Sequence, residues 1–228
     1  MFVPRNDVFR WFLDIFFISM FWLDKKMWFP PVHLVSPEGI IAVGGDLLPE
    51  RLLLAYRSGI FPWYNQGELI VWYSPDPRMV LFPDKLKVSK SMRSLIRKGM
   101  FRITYNQNFE MVIAQCKTVK REGQGGTWIT DEMQQAYIAL HKLGNAKSVE
   151  VWQDDVLVGG LYGVDLGHVF CGESMFSKVS NVSKIAFIWL VEKLKKENYR
   201  LIDCQVYTRH LASLGAEEIP RNEFLKYL

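Results

Sequence analysis

The chain has few of the residues that hold metals and disulfides. Its 228 residues include 3 cysteines, at positions 116, 171 and 204, and 4 scattered histidines. No two cysteines have C-x-x-C spacing, and none has a histidine at metal-ligand spacing. A zinc site or a disulfide framework is therefore not expected. We predict a protein without a metal, in a reducing, cytoplasmic compartment.

Glycine-rich nucleotide-binding loops are also lacking. The segments VGGD, GQGGT and VGGLYG match neither a Walker loop nor a dinucleotide-binding fingerprint. We interpret them as turns, bulges or close backbone contacts, and we expect the protein to use no cofactor.

Long apolar runs are scarce. The most apolar stretch, residues 1–28, is interrupted by Arg10 and Asp14, and the unbroken part from Ile15 to Leu23 is shorter than the roughly 20 residues of a membrane helix. It has no small-residue cleavage pattern. We expect no membrane span. Two explanations of this stretch stay open: a non-native upstream extension, with translation starting near Met20 or Met27, or an anchoring or packing segment.

The second half of the chain has the pattern of a β-meander followed by a helix and a last strand. VEVWQ and VLVGGLYGV are joined by a turn at Asp154–Asp155, and a second turn leads into VFCGESMFS. A helix is predicted from Ser183 to about Asn198, before the strand YRLIDCQV. Upstream, a helix opens near Pro49, and LIVWY and RMVLF flank the turn SPDP as a predicted hairpin.

These elements predict an α+β protein with α/β layers. A small N-terminal α+β domain precedes a domain with a mixed, largely antiparallel sheet flanked by helices. The expected boundaries are 1–28 for the apolar extension, 29–68 for the small domain and 69–228 for the larger one.

Two predicted strands carry polar groups among apolar neighbours. Side chains alternate between the two faces of a strand, so Cys171, Glu173 and Met175 are expected on one face of the first strand. In the second strand, Asp203 and Gln205 are expected on one face, with Ile202 and Cys204 on the other. Carboxylates among such apolar residues are usually paired or used in chemistry. Glu173 and Asp203 are thus either satisfied structural acceptors or parts of a site.

A strongly basic stretch follows the predicted hairpin. Seven cations without an intervening acid are Lys85, Lys87, Lys90, Arg93, Arg97, Lys98 and Arg102. On the helix predicted over residues 89–98, Lys90, Arg93 and Arg97 share one face, and Met92, Leu95 and Ile96 occupy the other. The stretch is either a solvated helix face or a docking place for the phosphates of a polyanion.

Aromatic and apolar residues offer further candidates. Trp63 and Trp128 adjoin proline- or glycine-rich loops, where they pack or stack on a nucleobase. A larger apolar set forms either plain core or a pocket for an apolar side chain beside Glu173. Its members are Leu161, Phe170, Met175, Phe187, Leu190, Leu194 and Ile202.

Several motifs together resemble the leucyl/phenylalanyl-tRNA–protein transferase family. In chain order they are GGDLLPERLLLAYRSGIFPWY, WYSPDPRMVLFP, GTWIT, KSVEVWQDDVLVGGLYGV, CGESMFS, LIDCQ and HLASLGAEEIPR. The resemblance runs from about Phe29 to Leu228. It implies an acetyltransferase-like (GNAT-like) second domain that works without coenzyme A. It also implies transfer of Leu, Phe or less readily Met from aminoacyl-tRNA to proteins with N-terminal Arg or Lys, which marks them for N-end-rule degradation.

The resemblance also implies roles for individual residues. Asp203 and Gln205 correspond to a catalytic pair, and Glu173 to a substrate-binding carboxylate. Trp63, Trp128 and Tyr137 lie around the terminal adenosine, and the apolar set above receives the transferred side chain. Lys90, Arg93, Arg97 and Lys98 meet the tRNA acceptor stem. We expect the Gln205 amide oxygen to orient the attacking amine, with Asp203 polarising it or helping to receive the proton.

Two other functions stay open at this point. One is a coenzyme-A-dependent N-acyltransferase, although the chain lacks the Q/R-x-x-G-x-G/A pyrophosphate loop of such enzymes. The other is a non-catalytic RNA-binding module. We expect a monomer.

Overall fold

The computed structural model describes residues 20–119 and 128–228. A small sheet of four strands is built from the first part of the chain, in the order β1-β2-β4-β3. Its strands are β1 (Phe21–Leu23), β2 (Ile40–Gly44), β3 (Phe61–Pro62) and β4 (Val71–Tyr73). β1 is parallel to β2, and the other neighbours are antiparallel. Helix α1 (Pro49–Arg57) connects β2 to β3 and buries Leu52, Ala55 and Tyr56.

A larger sheet of seven strands forms the rest, in the order β11-β5-β10-β9-β8-β7-β6. The strands are β5 (Arg78–Leu81), β6 (Arg102–Tyr105), β7 (Ala146–Gln153), β8 (Val156–Asp165), β9 (Val169–Ser177), β10 (Leu201–Gln205) and β11 (Glu217–Ile219). β9 and β10 are parallel, and the other neighbouring pairs are antiparallel. The parallel strands β9 and β10 need a crossover connection, which the helix between them in the sequence supplies.

Helices pack on both faces of the large sheet. They are α2 (Lys90–Arg97), α3 (Phe109–Thr118), α4 (Asp131–Lys142), α5 (Val182–Lys196), α6 (Arg209–Ala212) and α7 (Arg221–Phe224). The apolar sides of α1, α3 and α4 share one hydrophobic cluster. Those of α2 and α5 share a second cluster. The predicted class, a mixed α+β protein with a small N-terminal sheet and a larger, largely antiparallel one, is confirmed.

Helix starts follow the capping pattern in two places. Ser89 accepts the backbone N–H of Met92 at the start of α2, and Thr130 accepts that of Met133 at the start of α4. The predicted start of α5 at Ser183 is wrong. This helix starts one residue earlier, at Val182, and Asn181 precedes it with a left-handed φ of 68°.

The predicted hairpin between LIVWY and RMVLF is wrong. β4 pairs with β2 and β3 in the small sheet, whereas β5 lies between β10 and β11 in the large one. The SPDP segment therefore carries the chain from one sheet to the other. The division between the sheets falls between Tyr73 and Arg78; the boundary near residue 68 stays a prediction about domains.

The apolar N-terminal stretch is only partly described. Residues 1–19 lie outside the described part of the chain. Within residues 20–28, Phe21, Trp22 and Leu23 pair with Ala42, Val43 and Gly44 of β2. Residues 21–23 are therefore an edge strand of the small sheet, and the boundary at residue 28 stays a prediction.

Candidate active site

Glu173 lies at a β-bulge in β9. Tyr162 of β8 is paired with Ser174, but its neighbour Gly163 is paired with Gly172, so Glu173 is the extra residue. A side chain at Gly163 would collide here, since a Cβ atom would lie 2.2 Å from the Cys171 carbonyl oxygen. The bulge gives the Glu173 side chain a direction that a regular strand would not.

The bulge interrupts the regular alternation of side chains along β9, on which the predicted shared face of Cys171, Glu173 and Met175 depended. Cys171 packs in the hydrophobic cluster of α1, α3 and α4, and Glu173 contacts residues of α1 and α4. Met175 packs instead with the cluster of α2 and α5 on the other side of the sheet. The prediction that these three residues share one face is therefore wrong for Met175.

Three donors hold the Glu173 carboxylate. The Tyr56 hydroxyl donates to Oε1 at 2.7 Å, and the Tyr137 hydroxyl donates to Oε2 at 3.0 Å. The side-chain Nε2 of Gln205 also donates to Oε1, at 2.7 Å. The two tyrosine hydroxyls are in short contact with each other. α1, α4, β9 and β10 thus meet at one carboxylate.

Burial governs the ionisation of this cluster. It raises the pKa of Glu173 to about 7, although the hydrogen bonds from Tyr56 and Tyr137 act in the opposite direction. The pKa values of both tyrosines lie well above the ordinary value, first because of burial and then because of the nearby Glu173. The phenols therefore stay protonated donors, while Glu173 changes charge close to neutral pH.

Asp203 is buried beneath this cluster and is paired with Arg78. Arg78 donates from Nε to Oδ1 at 2.8 Å and from Nη2 to Oδ2 at 2.6 Å. Asp203 Oδ1 also accepts the backbone N–H of Gln205 at 2.9 Å. The guanidinium lies between the rings of Phe61 and Phe224, 4.8 and 4.7 Å from their centroids. This ion pair fixes the main chain of Gln205, whose φ is 64°.

A cavity of about 430 Å³ opens beside Glu173 and Gln205. Its volume is within the usual range of small-molecule sites. Its apolar wall includes six residues of the predicted pocket: Leu161, Phe170, Met175, Phe187, Leu190 and Ile202. Trp63 and Trp128 also line it. Trp63 is 38% exposed and Trp128 only 8%, so one ring is at the surface and the other is enclosed.

Among the residues predicted for catalysis or for binding the aminoacyl-adenosine, three do not line this cavity. Leu194 is buried in the hydrophobic cluster of α5, one turn beyond Leu190. Tyr137 touches the site through Glu173. Asp203 touches it through the backbone of Gln205. Their predicted roles in substrate contact stay predictions.

Sequence reasoning missed three residues of the site. Tyr56 follows the apolar run LLLA in its helix and reads as a core residue, but its hydroxyl reaches Glu173. His210 lines the cavity, and no sequence pattern marks it. Arg78 did have a signal, because it is a single charge beside the apolar run MVLF, and a charge in a buried strand needs a partner.

The basic stretch is less uniform than its sequence. Lys85 forms an ion pair with Glu217, and Arg102 forms one with Asp155 at 3.4 Å. The remaining five form no ion pair with any described residue and are exposed: Lys87, Lys90, Arg93, Arg97 and Lys98. Ile96, predicted to lie on the helix face opposite to the cations, is 39% exposed. The Lys87 N–H donates to the Leu214 carbonyl, which ties this stretch to the turn after α6.

Comparison with known proteins gives the family. The sequence profile of the leucyl/phenylalanyl-tRNA protein transferase family matches residues 80–228, and that of its N-terminal domain matches residues 45–76. The chain is therefore an aminoacyltransferase. The chain belongs to the leucyl/phenylalanyl-tRNA–protein transferase family.

Curated relatives of that name are similar over nearly the whole chain. The protein of Flavobacterium johnsoniae is 66% identical over 92% of this chain and 99% of its own length. That of Syntrophus aciditrophicus is 59% identical over 89% of this chain and 84% of its own length. Among solved structures, a GCN5-related N-acetyltransferase from Kribbella flavida is 10% identical, with a TM-score of 0.39 over 73% of this chain and 59% of that one.

The described residues contain neither a membrane-spanning helix nor a cluster of metal ligands. In residues 20–119 and 128–228, no helix is long and apolar enough to cross a membrane. The same residues contain no group of three or more His, Cys, Asp or Glu side chains that could hold a metal ion.

Proposed function

We propose that the protein transfers a leucyl or phenylalanyl group, and less readily a methionyl group, from tRNA to the α-amino group of a protein that begins with Arg or Lys. The product is a longer N-terminus that marks the acceptor for N-end-rule degradation. The observation that carries this proposal is the cavity whose apolar wall ends at Glu173 and Gln205, in a chain of this family.

The shape of the cavity supports the donor half of the proposal. An apolar slot accepts the side chains of Leu, Met and Phe, none of which branches at Cβ. It discriminates weakly among them because one methylene is worth only about 1–3 kcal/mol. Trp63 and Trp128 present rings on which the terminal adenine stacks. Lys90, Arg93, Arg97 and Lys98 are exposed without ion-pair partners among the described residues, so they are available to tRNA phosphates.

The orientation of Gln205 supports the chemical half. Its Nε2 donates to Glu173, so the amide oxygen is the group left for a substrate N–H. This oxygen accepts a hydrogen bond from the attacking amine and aims the nitrogen lone pair at the ester carbon. The ester is already activated, and positioning the two reactants can supply up to roughly 7–11 kcal/mol.

Glu173 and Asp203 have different parts in this mechanism. An ionised carboxylate has about four acceptor sites, and three donors occupy Glu173, so one remains for a cationic or N–H group of a substrate. Asp203 is enclosed by Arg78 and the Gln205 backbone. We assign Asp203 as a positioning residue that holds Gln205, instead of a group that receives the proton.

The proposal includes a monomer that works in the cytoplasm on aminoacyl-tRNA and protein substrates. The test incubates the protein with radiolabelled Phe-tRNA and a peptide that begins with Arg, without coenzyme A. Labelled peptide is the expected product. A peptide with an acetylated N-terminus is the matched control and stays unlabelled. Absence of label in the free peptide, or a requirement for acetyl-coenzyme A, would overturn the proposal.

A further inference from the structure

The polar side chains that line the cavity differ in whether they are already bonded. Glu173 and the Nε2 of Gln205 are bonded to each other. Thr208 accepts the backbone N–H of Leu211 as the cap of α6. The thiol of Cys204 stays protonated at neutral pH because burial raises its pKa. Cys204 and the Gln205 amide are thus not bases at neutral pH, and the Glu173 carboxylate is already held by three donors.

His210 lines the same cavity and differs from these groups. It is half-buried, and neither of its ring nitrogens hydrogen-bonds to a described residue; Nε2 is fully enclosed. Rotation of the ring about Cβ–Cγ therefore breaks no hydrogen bond. Burial, and secondly the charge of Lys184 on α5, lower the pKa of His210. The nearby charged groups are Lys184 on α5, Arg209, which precedes His210 on α6, and Glu173 on the same cavity wall.

We propose that His210 is the proton carrier of the transfer reaction, an inference that rests on the proposed function. As the N–C bond forms, a ring nitrogen of His210 takes one proton from the attacking α-amine. As the C–O bond of the ester breaks, the imidazolium returns that proton to the departing ribose oxygen. The products are a peptide amide and a free ribose hydroxyl, and the imidazole is regenerated.

The chemistry of the other groups favours His210 for this task. Gln205 cannot act as a base, since an amide oxygen only accepts hydrogen bonds at neutral pH. Asp203 is enclosed by its ion pair with Arg78. A neutral imidazole carries both a lone pair and an N–H, so one ring can take a proton and supply one within a single turnover.

The test compares His210→Ala and His210→Gln with the unmodified protein in single-turnover transfer of labelled phenylalanine to an Arg-initiated peptide. General acid–base catalysis contributes about 10²–10⁴-fold. We expect both variants to be slower by that order, with the affinity for charged tRNA nearly unchanged. Added imidazole restores part of the rate of His210→Ala. His33→Gln is the matched control, because His33 is exposed and distant in sequence from the cavity, and its rate stays unchanged.

Either of two results would overturn the inference. One is a His210→Gln rate within about threefold of that of the unmodified protein. The other is a slow His210→Ala that no imidazole concentration rescues although its thermal unfolding is unchanged; His210 would then only shape the cavity. In both cases the unmodified protein still labels the peptide, so the proposed function stands. If the unmodified protein labels nothing, the proposed function itself has failed.

Discussion

Gln205 donates its side-chain N–H to Glu173 Oε1 across 2.7 Å, and this bond decides which end of the amide faces the cavity. The backbone of Gln205 is fixed separately by Asp203, through a hydrogen bond of 2.9 Å. Gln205 is thus held by two carboxylates: Asp203 bonds its backbone N–H, and Glu173 bonds its side-chain amide. A preorganised acceptor of this kind costs no rearrangement when the amine arrives.

Removing the charge of Asp203 should destabilise the protein strongly. Asp203→Asn leaves Arg78, which is 1% exposed, as an uncompensated buried charge, at an expected cost of about 3–5 kcal/mol. Urea unfolding measures this loss. The control is Asp155→Asn in the exposed pair with Arg102, where we expect less than about 1 kcal/mol. Equal losses at the two positions would refute the importance of the buried pair.

Two leucines one turn apart on α5 should behave differently. Leu190 lines the cavity and Leu194 does not. Leu190→Ala should change the ratio of kcat/KM for Leu-tRNA and Phe-tRNA by up to about 10–200-fold, since a pocket methylene is worth about 1–3 kcal/mol. Leu194→Ala should cost about 2–5 kcal/mol of stability and leave the ratio unchanged. A changed ratio in Leu194→Ala would extend the pocket beyond the cavity described above.

The exposed cations of α2 should bind tRNA without reading its sequence. Lys90→Ala and Arg93→Ala should weaken the binding of Leu-tRNA and Phe-tRNA by similar factors. Each should also reduce the slope of log K against log salt by about 1. Lys142→Ala, an exposed cation at the end of α4, serves as the control. An effect on only one of the two tRNAs would indicate sequence readout instead.

Glu173 should make stability depend on pH. Its pKa is raised from 4.5 to about 7 in the folded protein, so the folded state binds a proton more tightly than the unfolded state does. Its contribution is fully favourable below about pH 4.5 and is lost as the pH rises through about 7. Between pH 5 and 8 the free energy of unfolding should fall relative to that of Glu173→Gln, by at most about 3 kcal/mol. Parallel pH curves for the two proteins would contradict the raised pKa.

The secondary structure was largely predictable because the meander, the helices and their caps depend on local patterns. The β8–β9 meander and the N-caps Ser89 and Thr130 are encoded by neighbouring residues. The SPDP segment is different, because a rigid turn between two apolar runs favours a hairpin whether or not the strands meet. Which sheet β5 joins depends on Asp203, far along the chain, and this contact leaves no local signal.

Two glutamates show why the site itself needed the structure. Glu150 and Glu173 both lie in apolar strands and look alike in sequence. Glu150 is fully buried, and it accepts the hydroxyls of Ser148 and Thr104 and the N–H groups of residues 107 and 108. Glu173 lies at a bulge and lines the cavity. A regular alternation of side chains does not predict the one-residue bulge at Glu173. This bulge distinguishes Glu173, a site residue, from Glu150, a structural acceptor.

Single-turnover kinetics of Gln205→Ala test whether the amide oxygen of Gln205 orients the attacking amine. The rate of phenylalanyl transfer to an Arg-initiated peptide is measured beside the dissociation constant of charged tRNA, with the exposed Gln107→Ala as the control. If Gln205 orients the amine, the transfer rate falls by about 10²-fold or more, in the range found for a removed preorganised group. The affinity for tRNA stays nearly unchanged. Equal losses in rate and in affinity would contradict it.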